Sequence, residues 1–361
     1  MASLYPMLIR PTFDERLWGG NRLPTQLGKD VPADKPIGES WEVHERNTVI
    51  NGPYAGRTIG ELRAVMGADL MGHVDAGRIF PMLTKIIDAH DVLSVQVHPD
   101  DAFARQLEGE PNGKTECWYV LAADPASVLT YGFTRDSSPD EYEEMVKTGT
   151  LDSILRSLTV QAGDVVYIPA GTVHAIGAGI LLYELQQTSD ITYRIYDWNR
   201  KDSSGKPREL HVDKARKVLN YHRETRGTVH VLHRPGSGRT MLIGGDYFCE
   251  ELIEAGVAGA IETQGSPVVI CALDRPVSVQ AGGEVVALDR YSSLLVPAAA
   301  GSYALEPAAT AHGPAAILAS YVPSSRLSIV NDLRDRGFSR DEVSLFLDQF
   351  VPLTDLGHAP S

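Results

Sequence analysis

Short apolar runs, broken by glycine, proline and aspartate, recur along most of this chain. Between residues 80 and 200 they fall at 92–98, 117–122, 127–131, 164–168 and 180–186. Runs of this length and punctuation predict strands of a sandwich or barrel. A second series follows at 266–272, 277–279, 284–288, 292–297 and 315–320. Two stretches depart from it. Residues 138–158 read as a helical insert, where Ser138 precedes Pro139-Asp140-Glu141 and suits an N-cap with an acidic first turn. Residues 327–336 predict a helix with Gly337 as its C′ residue. Ser339-Arg340-Asp341-Glu342 is a capping-box pattern opening another helix through Phe350, with Val343, Leu345, Phe346 and Phe350 as its apolar face. This hairpin is expected to pack on the strands, and docking of a partner is the alternative. Residues 202–209 form a polar loop, and 223–240 mix charge with glycine and proline. The expected organisation is therefore 1–222, 223–323 and a helical extension 324–361.

The strand alternation matters most at Leu93-Ser94-Val95-Gln96-Val97-His98. Side chains two apart in a strand share a face, so Ser94, Gln96 and His98 lie together. Glu116 opens another apolar run, and His174 follows a strand and the turn Pro169-Ala170-Gly171. Two imidazoles, a carboxylate and an amide can thus converge inside a β-structure. That set suits a catalytic divalent metal with an open coordination position. The other nine histidines lack such a setting and read as ordinary hydrogen-bonded residues.

Composition narrows the function classes. The chain has 361 residues, enough for two domains and a large core. Its net charge of −14 argues against nucleic acid and anionic membranes as partners. An anionic substrate would need locally placed Lys and Arg. Three widely spaced cysteines suggest no disulfide framework. No basic-then-apolar leader pattern opens the sequence and no run of about 18 apolar residues occurs, so a cytoplasmic location is expected.

Gly163-x5-Pro169-x-Gly171-x2-His174 is the second motif of the cupin superfamily, and Gln96-x-His98 stands where its first motif has His-x-His. With Pro81 to Asp101, Gly113-Lys114-Thr115-Glu116 and Tyr183 to Trp198, these segments resemble the type I mannose-6-phosphate isomerases in their bacterial short form. The resemblance spans roughly residues 5 to 320. It implies a mainly β fold of two cupin-type (jelly-roll) β-barrels with a few helices and a short helical C-terminal extension. The first barrel would be the metal-binding catalytic domain. The second has His312 but none of the ligand motifs, so it is expected to be metal-free. The resemblance further implies one zinc per chain, held by His98, Glu116 and His174 with Gln96 as fourth ligand, although this donor set also suits manganese, cobalt or iron.

The implied reaction interconverts mannose 6-phosphate and fructose 6-phosphate through a cis-enediol, with a small-molecule sugar phosphate as partner. Arg194 matches the family's active-site arginine; always protonated, it is read as stabilising the enediolate. Lys85 and Lys114 match pocket lysines that contact substrate or phosphate, and Ser94 adds a hydrogen bond to the phosphate. Glu184 and Asp190 are acidic and near Arg194 in sequence, and are read as substrate-binding or as structural pairing partners. Two other classes fit parts of the pattern: a cupin dioxygenase, since two His and a carboxylate also suit Fe(II), and a non-catalytic sugar-binding cupin. Gln96 and the cationic residues argue against the first, and the full ligand set with Arg194 against the second.

Overall fold

A computed structural model describes residues 4–32, 34–198, 200–201, 205–308 and 313–351; His312 lies outside the described residues. The architecture is mainly β, with antiparallel sheets carrying a few short helices. No sheet among the described residues closes into a continuous hydrogen-bonded barrel. The chain divides into two compact units built from non-consecutive segments.

One unit comprises Met1–Thr12, Trp41–Lys85 and His230–Phe350. Its eight-stranded sheet runs in the order Leu232–His233, Arg239–Gly244, Cys249–Ala255, Ala315–Tyr321, Val268–Ala272, Ser293–Val296, Met7–Arg10, Thr48–Val49. The early strand Met7–Arg10 belongs here because it pairs antiparallel with Ser293–Val296. Cys249 and Cys271 are buried in these strands.

The C-terminal hairpin packs on this sheet. Helix Arg326–Asp335 is followed by Gly337 at φ +89, a conformation that glycine adopts without strain, and by helix Arg340–Asp348. Ser339 and Glu342 close the expected capping box. Ile329, Leu333, Val343, Phe346, Leu347 and Phe350 are buried. A Cβ on Gly244 would come within 2.8 Å of Leu347 and 2.9 Å of Phe346, so glycine lets the helix approach the strand. Arg336 Nη1 reaches Glu251 Oε1 at 3.3 Å, and Glu251 also pairs with Arg239. One expectation fails: Leu345 is 73% exposed. It lies two residues from Val343, about 200° around a helix whose buried positions follow the three-to-four spacing.

The other unit comprises Phe13–Ser40, Ile86–Val229 and Val351–Ser361. A five-stranded sheet runs Tyr193–Tyr196, Val95–Val97, His174–Ile176, Val128–Phe133, Leu155–Thr159. Facing it are three neighbouring strands of a six-stranded sheet, Val165–Ile168, Glu116–Ala123 and Ile180–Gln187. Trp118, Val120, Val166, Ile168 and Leu182 interdigitate with Leu129, Tyr131 and Ile176 between the two sheets. On the opposite face of the five-stranded sheet, Val95, Val97, Ala175, Tyr193 and Ile195 pack beneath Tyr142, Ala215 and Val218 of two helices. Alternation therefore sends Val95 and Val97 toward the helices, and Gln96 and His98 toward the facing sheet.

The insert predicted as helix over 138–158 is an α-helix at Pro139–Thr148, capped by Ser138, whose side chain accepts from Glu141 N, and a short 3-10 helix at Leu151–Ile154. Gly149 at φ +70 ends the α-helix in the left-handed region, and after the 3-10 turn the chain forms strand Leu155–Thr159.

The hairpin docking has a direct test in urea unfolding. Phe346→Ala should destabilise by about 3–5 kcal/mol through an unfilled cavity. Leu345→Ala should stay within about 0.5 kcal/mol of the parent. Equal effects would mean that the helix does not bury the face described.

Candidate metal centre

Two loops deliver the ligating residues, and backbone hydrogen bonds stitch them together. Gly113 sits against the backbone after His98, where a Cβ would fall 2.4 Å from the Asp100 carbonyl carbon. Its N–H donates to Asp101 Oδ1 at 2.8 Å, and Lys114 N–H donates to Pro99 O at 3.0 Å. Gly171, at φ +85, donates its N–H to His98 O at 2.9 Å and turns the chain into strand His174–Ile176. Asp100 caps helix Asp101–Glu108 by accepting from Phe103 N. The aspartates of His98-Pro99-Asp100-Asp101 thus hold the loop while His98 turns inward.

His98, Glu116 and His174 offer three donor atoms lying within 4.8 Å of one another, and all three residues are buried. His98 Nδ1 lies 2.8 Å from Ile191 O and His174 Nδ1 lies 2.9 Å from Thr172 O. A carbonyl only accepts, so each Nδ1 carries the proton and each Nε2 presents a lone pair. Those Nε2 atoms lie 3.4 Å and 3.6 Å from the two Glu116 oxygens. Glu116 Oε2 has no hydrogen-bond partner, and Oε1 is met by an ammonium. Gln96 Nε2 is 3.2 Å from His174 Nε2, and a half-turn of the amide would present its oxygen instead. Lys114 is buried with its ammonium against Glu116 Oε1 and 3.4 Å from His98 Nε2.

The electrostatics follow from this burial. Desolvation, then the Lys114 charge, pushes His98 down to about 3. His174 is lowered too, mainly by desolvation. Burial alone would raise Glu116, but the charges around it, Lys114 first, hold the carboxyl well below its usual range. The result is two neutral imidazoles around an ionised carboxylate. A buried carboxylate with one oxygen left without a donor, and imidazoles oriented through Nδ1–carbonyl bonds, fit a divalent cation with nitrogen and oxygen ligands.

The five-stranded sheet adds a row of side chains. Tyr131, His174, Gln96 and Arg194 are successive register partners on adjacent strands, so their side chains project from one face. Arg194 donates from Nη1 to Glu209 O at 3.0 Å, while its buried Nε has no hydrogen-bond partner. Burial, then the neighbouring Arg208, lowers its pKa. On the facing sheet Glu116 stands opposite Ile168 and Gln186, and Trp118 opposite Glu184. Trp118 Nε1 donates to Glu184 Oε1 at 3.0 Å, and its ring meets His174 edge-on at 5.5 Å.

Of the other expected residues, Ser94 is buried immediately before Val95–Val97. Asp190 is exposed and acts electrostatically on Arg16, which is bonded to Glu39. Lys85 belongs to the other unit, with its ammonium 4.9 Å from the Trp41 ring centroid. Sequence reasoning gave no role to Trp118, though strand periodicity puts it on the face of Glu116, two residues earlier. Nor did it single out Arg208, whose neighbour Asp197 also binds Arg200; no spacing rule announces that cluster.

Comparison with known proteins agrees with this geometry. Residues 7–123 match the family described as phosphomannose isomerase type I, catalytic domain. A mannose-6-phosphate isomerase of Streptococcus mutans is 37% identical over 298 residues, covering 81% of this chain and 92% of that protein. The crystal structure of the mannose 6-phosphate isomerase from Bacillus subtilis superposes with a TM-score of 0.78 at 31% identity, covering 88% of this chain and 99% of that one. A zinc-bound mannose 6-phosphate isomerase shares the fold, with a TM-score of 0.71 over 89% of this chain and all of that one, at 13% identity. The chain belongs to the type I phosphomannose isomerase family.

Proposed function

We propose that this chain is a zinc-dependent aldose–ketose isomerase that interconverts mannose 6-phosphate and fructose 6-phosphate through a cis-enediol. The observation that carries this reading is the buried His98–Glu116–His174 set, in a chain of this family. Those three residues would hold the zinc, with the Gln96 amide as fourth ligand. Bound there, zinc supplies Lewis-acid stabilisation of negative charge on a carbonyl-derived oxygen, worth several kcal/mol.

The chain's own residues divide the remaining work. Arg194 keeps its positive charge at any working pH despite the lowering by burial and Arg208. It shares a sheet face with Gln96 and has a buried donor to spare, which supports a role in stabilising the enediolate. Lys114 keeps Glu116 ionised and places a cation inside the site, in a protein whose net charge of −14 repels anions at long range. Ser94 adds a neutral donor for the phosphate. Glu184 orients the Trp118 ring beside His174, and Asp190 sits at the exposed end of the same segment.

The phosphate does not react, but charge-assisted bonds to it hold C1 and C2 in place, and that remote binding energy lowers the barrier. The zinc-loaded protein should therefore turn over mannose 6-phosphate far better than mannose, with fructose 6-phosphate as product. Lys114→Met should lose much of that preference, and Lys85→Met tests the second expected lysine in the same way. Equal kcat/KM for the two sugars in the parent protein would overturn the reading.

The buried imidazoles also set a pH dependence for the metal-free protein. Unfolded histidines bind protons near pH 6.5, whereas folded His98 does so only near 3. Between those values the unfolded chain holds more protons, so stability falls as pH falls. In chelator, the urea midpoint at pH 5 should lie below that at pH 7.5, and His98→Asn should flatten the difference. A midpoint independent of pH over this range would show that the imidazoles are not buried neutral.

A further inference from the structure

Arg194 lies on Tyr193–Tyr196, the edge strand of the five-stranded sheet. Its N–H and C=O both point away from the sheet, where an edge residue would meet only water. Here both are taken by one residue seventeen positions later. His211 N–H donates to Arg194 O at 2.7 Å, and Arg194 N–H donates to His211 Nδ1 at 3.1 Å. Glu209 O, two residues before, accepts from Arg194 Nη1 at 3.0 Å. The backbone and the guanidinium of Arg194 are thus gripped by the same short segment.

His211 gives up a local bond to do this. It occupies the N-cap of helix Val212–Val218, yet its side chain makes no capping bond to that helix. A ring nitrogen that accepts from Arg194 N–H must be unprotonated, which leaves the proton on Nε2. The helix behind His211 is itself tied down: Lys214 Nζ reaches Glu108 Oε1 at 2.7 Å, and Tyr193 OH donates to the same oxygen at 2.8 Å. The clamp therefore stands on a fixed base and grips an otherwise open strand edge.

We propose that His211 is a positioning residue for Arg194: its Nδ1 and backbone N–H fix where the guanidinium projects on the face it shares with Gln96. This rests on the reading of Arg194 given above. Loss of the Nδ1 acceptor leaves a strand-edge N–H unpaired and frees Arg194 to shift. A misplacement of about 1 Å in such a group costs up to roughly a hundredfold in rate.

Four variants of the zinc-loaded protein test it: Arg194→Ala, His211→Ala, His211→Asn and the double variant Arg194→Ala/His211→Ala. Arg194→Ala should lower kcat far more than it raises KM. His211→Ala should lower kcat roughly ten- to a hundredfold with KM and zinc content little changed. His211→Asn, whose Oδ1 stands where Nδ1 was, should recover most of that loss. The double variant should fall no further than Arg194→Ala, because both changes act through one guanidinium. His211→Leu, which keeps side-chain bulk, replaces His211→Ala should the latter fail to fold. A parent-like kcat in the acceptor-less variant, or losses that multiply in the double variant, would overturn the clamp while leaving the Arg194 role intact. A parent-like kcat in Arg194→Ala would overturn both.

Discussion

A buried, ionised Glu116 is the constraint on which the catalytic unit depends. A carboxylate removed from water needs a compensating charge, and leaving it unpaired costs several kcal/mol. Lys114 provides one positive charge, and the two imidazoles turn their lone-pair nitrogens toward the same carboxylate. Much of the surrounding chain exists to keep these groups there. The Gly113 and Gly171 turns bring both loops to the His98 segment, and the carbonyls of Ile191 and Thr172 fix the two rings. Trp118 and the apolar cluster between the sheets exclude water from one side.

This arrangement also explains how an acidic protein can serve an anionic sugar. Long-range repulsion from a net charge of −14 is screened within about 8 Å at physiological ionic strength, so the local field at the site decides recognition. Lys114 sits in the centre, Arg194 shares a sheet face with Gln96, and Arg200 and Arg208 share the single carboxylate of Asp197.

Much of the site was legible in the sequence because the ligands stand on motifs with period-two alternation. Gln96 and His98 share a face by alternation alone, and Gly171 before His174 announces a turn. The strand was legible less well: Val95–Val97 is shorter than the apolar run over 92–98, because Trp198 and Arg200 bind the carbonyls of Leu93 and Val92. The hairpin near the C-terminus was announced by Gly337 and the Ser339–Glu342 box, but not the exposure of Leu345, which only the helical phase decides. What the sequence could not show were pairings between distant segments. Met7–Arg10 lies beside Ser293–Val296, and Arg194 meets His211 through a loop whose geometry no local pattern encodes.

The central claim is that His98, Glu116 and His174 form one metal centre. Metal content by plasma mass spectrometry, measured beside circular dichroism on the parent and Glu116→Ala, tests it most directly. The parent should carry about one zinc per chain, and Glu116→Ala should lose zinc and isomerase activity together while keeping its β-rich spectrum. Full zinc occupancy in a folded Glu116→Ala protein would contradict the account.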